Sequence, residues 1–219
     1  MPKAIELYAS SDIPDLSSYG VGVANNGGGS DGIEFTFPPE ASAVTAGSFI
    51  TVSSEEPGFL AYFGEAPDFV SGSAGINGDD AIELFFNGKV ADTYGDVNVA
   101  GGDWNYMDGW SYRRDASSPT AVFNIADWTL SGVNAVDSCP SNAACTSVFP
   151  FHTYQHSIAS PTPPPTMSPT SPVSECPYAS SGNPFSSSAR CNYVSSSLLI
   201  VIFCSICHLS KSDHLLSYD

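Results

Sequence analysis

Glu83 and Asp92 flank the Asn87-Gly88 dipeptide in IELFFNGKVAD, and a two-residue hairpin turn there sets them directly across from each other. In that register the two carboxylates share the face away from Ile82 and Leu84. Like charges opposite one another repel, and a bound cation such as Ca2+ between them would relieve the pair. Water on a solvated face would relieve it equally by screening, and that reading needs no ion. A second acidic stretch, Asp96-Val97-Asn98 followed by Gly101, begins like a calcium-binding loop. It lacks the acidic ligands further on, where Ala100 and Met107 stand, so it is not an EF-hand. An irregular calcium site drawn from Asp79, Asp80, Asp96, Asp103 and Asp108 is the remaining cation reading.

Aromatic residues offer different chemistry. Trp104, Tyr106, Trp110 and Tyr112 alternate along DWNYMDGWSY, and aromatic rings in line can stack on sugar rings. Packing into a core is the commoner use of such residues. Trp110 and Trp128 read as core, while Trp104 and Tyr106 are the ligand-binding candidates at the surface. Arg113-Arg114 reads as a local partner for Asp108 and Asp115.

Several chemistries are excluded. NNGGGSDG has no lysine and no following helix, so it is not a phosphate loop. His152 and His156 lack the intervening Glu of a zinc-protease helix, and no GxSxG elbow occurs. Cys204-Ser-Ile-Cys207 has CxxC spacing but no second pair. No catalytic residues and no cofactor are therefore assigned. The formal charge of −17 repels phosphate backbones, so direct nucleic-acid binding is not expected unless divalent cations bridge it. Acidity of this degree is more often a solubility feature than a binding site.

The elements that must position these residues are strands. Asn-Gly supplies the two positive φ angles of a type I′ turn, the strongest short-range hairpin signal. Around that hairpin lie Ala4–Tyr8, Tyr19–Val23, Ile33–Phe37, Ser48–Ser53, Gly109–Arg114, Ala121–Phe123 and Asp127–Ser131, short runs separated by Gly and Pro. Glu55 to Ser73 reads as a long loop pinned by Phe59, Tyr62, Phe63 and Phe69. No stretch shows sustained helical periodicity, and the expected class is all-β.

GDDAIELF, Asn87-Gly88 and VADTYGD, then DWNYMDGWSYRRD and Trp128-Thr129-Leu130-Ser131-Gly132, resemble in order the lamin-tail domain, particularly its secreted microbial and algal forms. The resemblance runs from Lys3 to about Tyr154. It implies an immunoglobulin-like β-sandwich without catalysis of its own, acting as an extracellular binding or adhesion module on an unknown protein or polysaccharide. Such domains commonly accompany secreted nucleases or phosphatases, so the alternatives are a detached accessory domain or a structural surface protein. Cys139 and Cys145 enclose Pro-Ser-Asn-Ala-Ala, a turn that can bring two sulfurs together, and the family often has a Cys pair here. A bridge would imply an oxidising compartment; two free or buried thiols are the alternative. Met1-Pro2-Lys3 leads straight into AIELY with no signal peptide, so secretion rests on the resemblance and the Cys pair. In the family a strand usually precedes the one matching AIELY. Its loss here would leave one sheet edge open.

The expected organisation is a domain over 1–156, a Pro/Thr/Ser-rich linker over 157–174 and a disordered tail over 175–219. ASPTPPPTMSPTSP favours extended polyproline conformations. Cys176 and Cys191 make a further possible pairing. The apolar run from Leu198 to Cys207 is ten residues long, too short to span a bilayer as a helix, so no membrane span is expected.

Overall fold

The computed structural model of the chain describes residues 2–156 and 198–204. Its organising hairpin joins β6 (Ala81–Phe86) to β7 (Lys89–Tyr94), following β1 (Ala4–Ala9), β2 (Tyr19–Ala24), β3 (Phe35–Thr36), β4 (Phe49–Ser53) and β5 (Phe69–Val70). Asn87 at φ 48° and Gly88 at φ 73° form the turn that Asn-Gly dictates. The chain continues through β8 (Gly109–Arg113), β9 (Trp128–Leu130) and β10 (Leu198–Cys204).

These strands make two sheets, ordered β5-β4-β1-β10-β8-β9 and β3-β2-β6-β7. Every pairing is antiparallel except the short one between β4 and β5. Ile5 and Leu7 of β1 and Ile50 and Val52 of β4 share one apolar cluster with Val21 and Val23 of β2 and Ile82 and Leu84 of β6. Strand alternation supplies this directly, since each strand turns every second side chain to one face. The fold is β-rich, as its composition demands.

Three stretches depart from expectation. Ile33–Phe37 shrinks to Phe35–Thr36, with Ile33 exposed and only Phe37 fully buried. Ala121–Phe123 is irregular. Glu55–Ser73 contains a helix, α1 (Glu56–Phe63), where a pinned loop was expected. Pro57 and Gly58 disguise it as a turn, yet Pro is well tolerated in a first helical turn. Glu55 Oε2 caps the start by accepting from Gly58 N at 2.8 Å, and Gly64 at φ 87° ends it in the left-handed region. Phe59 and Tyr62 are buried, so the anchoring role assigned to this stretch holds.

β1 is paired along both sides, by β4 and by β10. The expectation of an open edge beside AIELY is thereby corrected: β1 is an inner strand. Within the stretch expected as a tail from residue 175, Leu198–Cys204 forms β10. The linker at 157–174, the Cys176–Cys191 pairing and the rest of the tail lie outside the described residues.

All six residues of β1 are buried because both its faces are covered. Tyr8 points away from the inter-sheet cluster into a second one with Tyr62 of α1, Trp110, Tyr112, Phe149 and Tyr154. Among the described residues, no helix is long and apolar enough to cross a membrane.

Candidate functional site

Trp104 and Tyr106 belong to the inter-sheet core and not to the surface. Trp104 is 5% exposed and Tyr106 is fully buried. Both pack edge-on against Tyr94, with ring centroids 5.8 and 5.3 Å away. Tyr106 OH donates to the Asp80 carbonyl at 2.9 Å, and Tyr94 OH donates to the Trp104 carbonyl, so the polar tips are satisfied inside. Gly95, at φ 83°, makes the approach feasible: a Cβ there would sit 2.8 Å from the Trp104 ring. The sugar-stacking assignment for this pair is overturned by burial. Trp128 is core, as expected, and Trp110 is 9% exposed.

Glu83 and Asp92 do not face each other. Phe85 pairs with Val90, as the two-residue turn requires, but a bulge follows and Leu84 pairs with Asp92 and Glu83 with Thr93. Ala91 is the extra residue. This one-residue slip turns Asp92 inward, where Arg113 Nη2 donates to both its oxygens at 2.7 and 2.6 Å. Thr120 N adds a bond to Asp92 Oδ1 at 2.9 Å. Arg113 also lies over the Trp128 ring, 4.4 Å from its centroid. Asp92 is therefore a buried counter-ion and not half of a cation site. Arg113 pairs with Asp92 rather than with its sequence neighbours, and Arg114 Nε donates to the Trp128 carbonyl at 3.0 Å.

Two of the other candidate carboxylates serve the backbone. Asp80 accepts from Asn26 N at 2.9 Å and Asn77 N at 2.6 Å, and Asp96 accepts from Asn98 N at 2.9 Å. Among the described residues no group of three or more His, Cys, Asp or Glu is placed to hold a metal.

What the fold does assemble lies on the outer face of the larger sheet, between α1 and the segment from Val136 to Tyr154. Cys139 and Cys145 are bridged, and Cys145 is buried in the outer cluster. Behind the bridge, Asn142 clamps the returning chain, with Oδ1 accepting from Phe149 N at 2.8 Å and Nδ2 donating to Phe149 O at 3.0 Å. Trp110 Nε1 donates to the Ser147 carbonyl at 3.0 Å. These bonds hold VFPFHTY across the sheet, with Phe63 and Phe151 stacked at 4.4 Å. A cleft of about 500 Å³ opens between α1 and this segment, lined by Tyr62, Phe63, Ser141, Val148, Phe149 and Phe151 among others. Phe63 and Phe151 are half-buried and Val148 is exposed, so the cleft presents apolar surface to solvent.

Beside the cleft a titratable pair pins the segment to β1. Glu6 Oε2 accepts from His152 N at 3.1 Å and lies 3.3 Å from His152 Nε2. His152 Nδ1 is 3.6 Å from Glu65 Oε1, and the imidazole stacks between Phe49 and Phe151 at 4.9 and 3.8 Å. Glu6 Oε1 is buried with no hydrogen-bond partner. Burial pushes the Glu6 carboxyl up to about 8, against the opposing effect of the His152 N–H, and burial pushes His152 down. At neutral pH the contact is thus a hydrogen bond between largely uncharged partners, although the distance alone would suit an ion pair.

Sequence reasoning missed the cleft because its walls come from a disguised helix and a loop more than seventy residues later. The one available signal was VFPFHTY, an aromatic run following the Cys pair. No protein family, no curated protein and no solved structure matches this chain.

Proposed function

We propose that this chain is a non-catalytic extracellular binding module, an immunoglobulin-like β-sandwich of the lamin-tail type, whose ligand is a neutral polysaccharide held in the aromatic cleft. The observation that carries this reading is the cleft of about 500 Å³ with Phe63 and Phe151 in its wall. The apolar wall of the cleft, including exposed Val148, suits the C–H faces of sugar rings, and the Ser141 hydroxyl beside it suits a sugar hydroxyl. The net charge of −17 disfavours polyanionic ligands. The Cys139–Cys145 bridge supports an oxidising, extracellular setting. In this reading Trp104 and Tyr106 build the core behind the site.

A glycan array with neutral and acidic polysaccharides, followed by pull-down on insoluble polymers, tests the proposal. Retention on a neutral glycan is expected, weakened about tenfold or more by Phe63→Ala and by Phe151→Ala. Retention on no neutral glycan, or retention equal for the intact chain and both variants, would overturn it.

A further inference from the structure

β10 is an inner strand reached from far away in sequence. Its register places Leu198 opposite Ala9 and Phe203 opposite Ala4 on one side, and Ile202 opposite Ser111 and Cys204 opposite Gly109 on the other. Were it withdrawn, β1 and β8 would each present a row of unpaired backbone donors and acceptors lining a slot one strand wide. The strand itself, LLIVIFC, carries no charge, no Gly and no Pro, the composition that pairs most readily with any open strand edge.

The path to the slot is far longer than the gap. The Tyr154 ring lies 4.9 Å from that of Tyr8, and Leu198 pairs with the next residue, Ala9. The chain thus leaves and re-enters the fold at one end of β1, while residues 157–197 intervene. At roughly 3.3 Å per residue these could extend on the order of 100 Å. The effective concentration of a tethered strand falls steeply with tether length, to the millimolar range or below.

We propose that the slot between β1 and β8 is a strand-acceptor site that takes Leu198–Cys204 from a second copy of this chain, giving a reciprocal strand-exchanged dimer. Exchange creates no new contact within the sheet. Each copy receives the same backbone pairing that its own strand would provide, so the two arrangements differ only in tether entropy and in whatever the two bodies do where they meet. Tether length then sets the concentration at which the dimer appears. The binding cleft lies between α1 and the 136–154 segment, so this inference stands apart from the ligand proposal.

The test uses the full chain with Cys176, Cys191, Cys204 and Cys207 replaced by serine and the Cys139–Cys145 bridge kept. One copy carries Ser111→Cys, the other Ile202→Cys, and the two carry tags of different size. They are unfolded together, refolded at about millimolar protein and cross-linked. A covalent heterodimer joined through these two positions is expected, and its yield should fall on dilution before cross-linking. A chain carrying both substitutions reports on its own strand: a cross-link within one molecule shows that the register survives the replacements. Cross-linking only within one molecule at every concentration would overturn the exchange. No cross-link in either arrangement would overturn the slot itself. Sedimentation of the unsubstituted chain provides a check free of variants, with a dimer growing from micromolar to millimolar protein expected and a monomer throughout counting against the proposal.

Discussion

On its inner face β1 turns Ile5 and Leu7 into the cluster that both sheets share; on its outer face it turns Glu6 and Tyr8 toward α1 and the disulfide-bridged segment. Each side buries a carboxylic acid, and the two are treated differently. Asp92, at the end of the inner core, meets a guanidinium and backbone N–H groups from Thr93 and Thr120. Glu6 meets one backbone N–H and an imidazole that is 35% exposed, and one of its oxygens has no partner. Strands can deliver a fixed counter-charge because register places it. A layer of loops delivers less, and the acid there keeps its proton instead.

The sharpest way to break this contrast is to remove each acid in turn. Asp92→Ala leaves Arg113 buried without a counter-ion and should cost about 3–5 kcal/mol in urea unfolding. Pairing it with Arg113→Met should recover much of that loss. A double variant no better than Asp92→Ala would show that Arg113 matters chiefly for its packing on Trp128.

Glu6 responds to pH. Its folded pKa is raised from the ordinary 4.5 to about 8, so between those values the folded chain holds a proton that the unfolded chain has released. Stability is therefore greatest at the acid end of that window and falls as pH rises through it, by at most about 1.4 kcal/mol per unit. His152 is shifted down, so it opposes this trend only below its ordinary value of 6.5. Melts at pH 7 and pH 8 should differ for the intact chain and coincide more closely for Glu6→Gln. Parallel pH profiles for the two proteins would show that Glu6 is already ionised in the fold.

The disulfide tests the outer layer alone. Cys139→Ser with Cys145→Ser should cost about 2 kcal/mol, since the bridge closes a short loop. Amide exchange should speed up at Phe149 and Phe151 while the β6–β7 amides keep their protection. Uniform loss of protection would mean that the outer layer and the core unfold as one.

The same contrast explains what the sequence disclosed. Alternation announced Ile82 and Leu84 and the strands around them, and Asn87-Gly88 announced their turn, because both signals are local. The register beyond Phe85 was not legible: a bulge at Ala91 leaves no mark in KVADTY, yet it moves Asp92 from the outside to the inside. Trp104 and Tyr106 looked like a surface platform because alternation says which residues share a face, not whether that face is covered. α1 hid behind Pro57 and Gly58, and the cover over Glu6 was not legible because Phe49, His152 and Phe151 come from distant segments. β10 was masked by its position after a linker, since an apolar run in a tail carries no sign of the slot that it fills.

The smallest effect expected belongs to the hairpin, where inner-core order begins. Gly88 sits at φ 73°, and a Cβ built there would meet nothing within 4 Å. Gly88→Ala therefore isolates the backbone cost of a left-handed conformation, about 1 kcal/mol, with no packing change. Gly95, also left-handed at φ 83°, is crowded by Trp104 at 2.8 Å, so Gly95→Ala adds a steric cost to the same backbone strain. The difference between the two variants measures how rigidly the core holds Trp104, together with Ala81, whose Cβ would lie 3.0 Å away. A large gap in unfolding free energy means the indole cannot give way, as expected for a ring 5% exposed and packed against Tyr94 and Phe123. Equal costs would mean that Trp104 moves aside freely. A ring that loosely held could reach the surface, which would return it to the sugar-stacking role that its burial denies it.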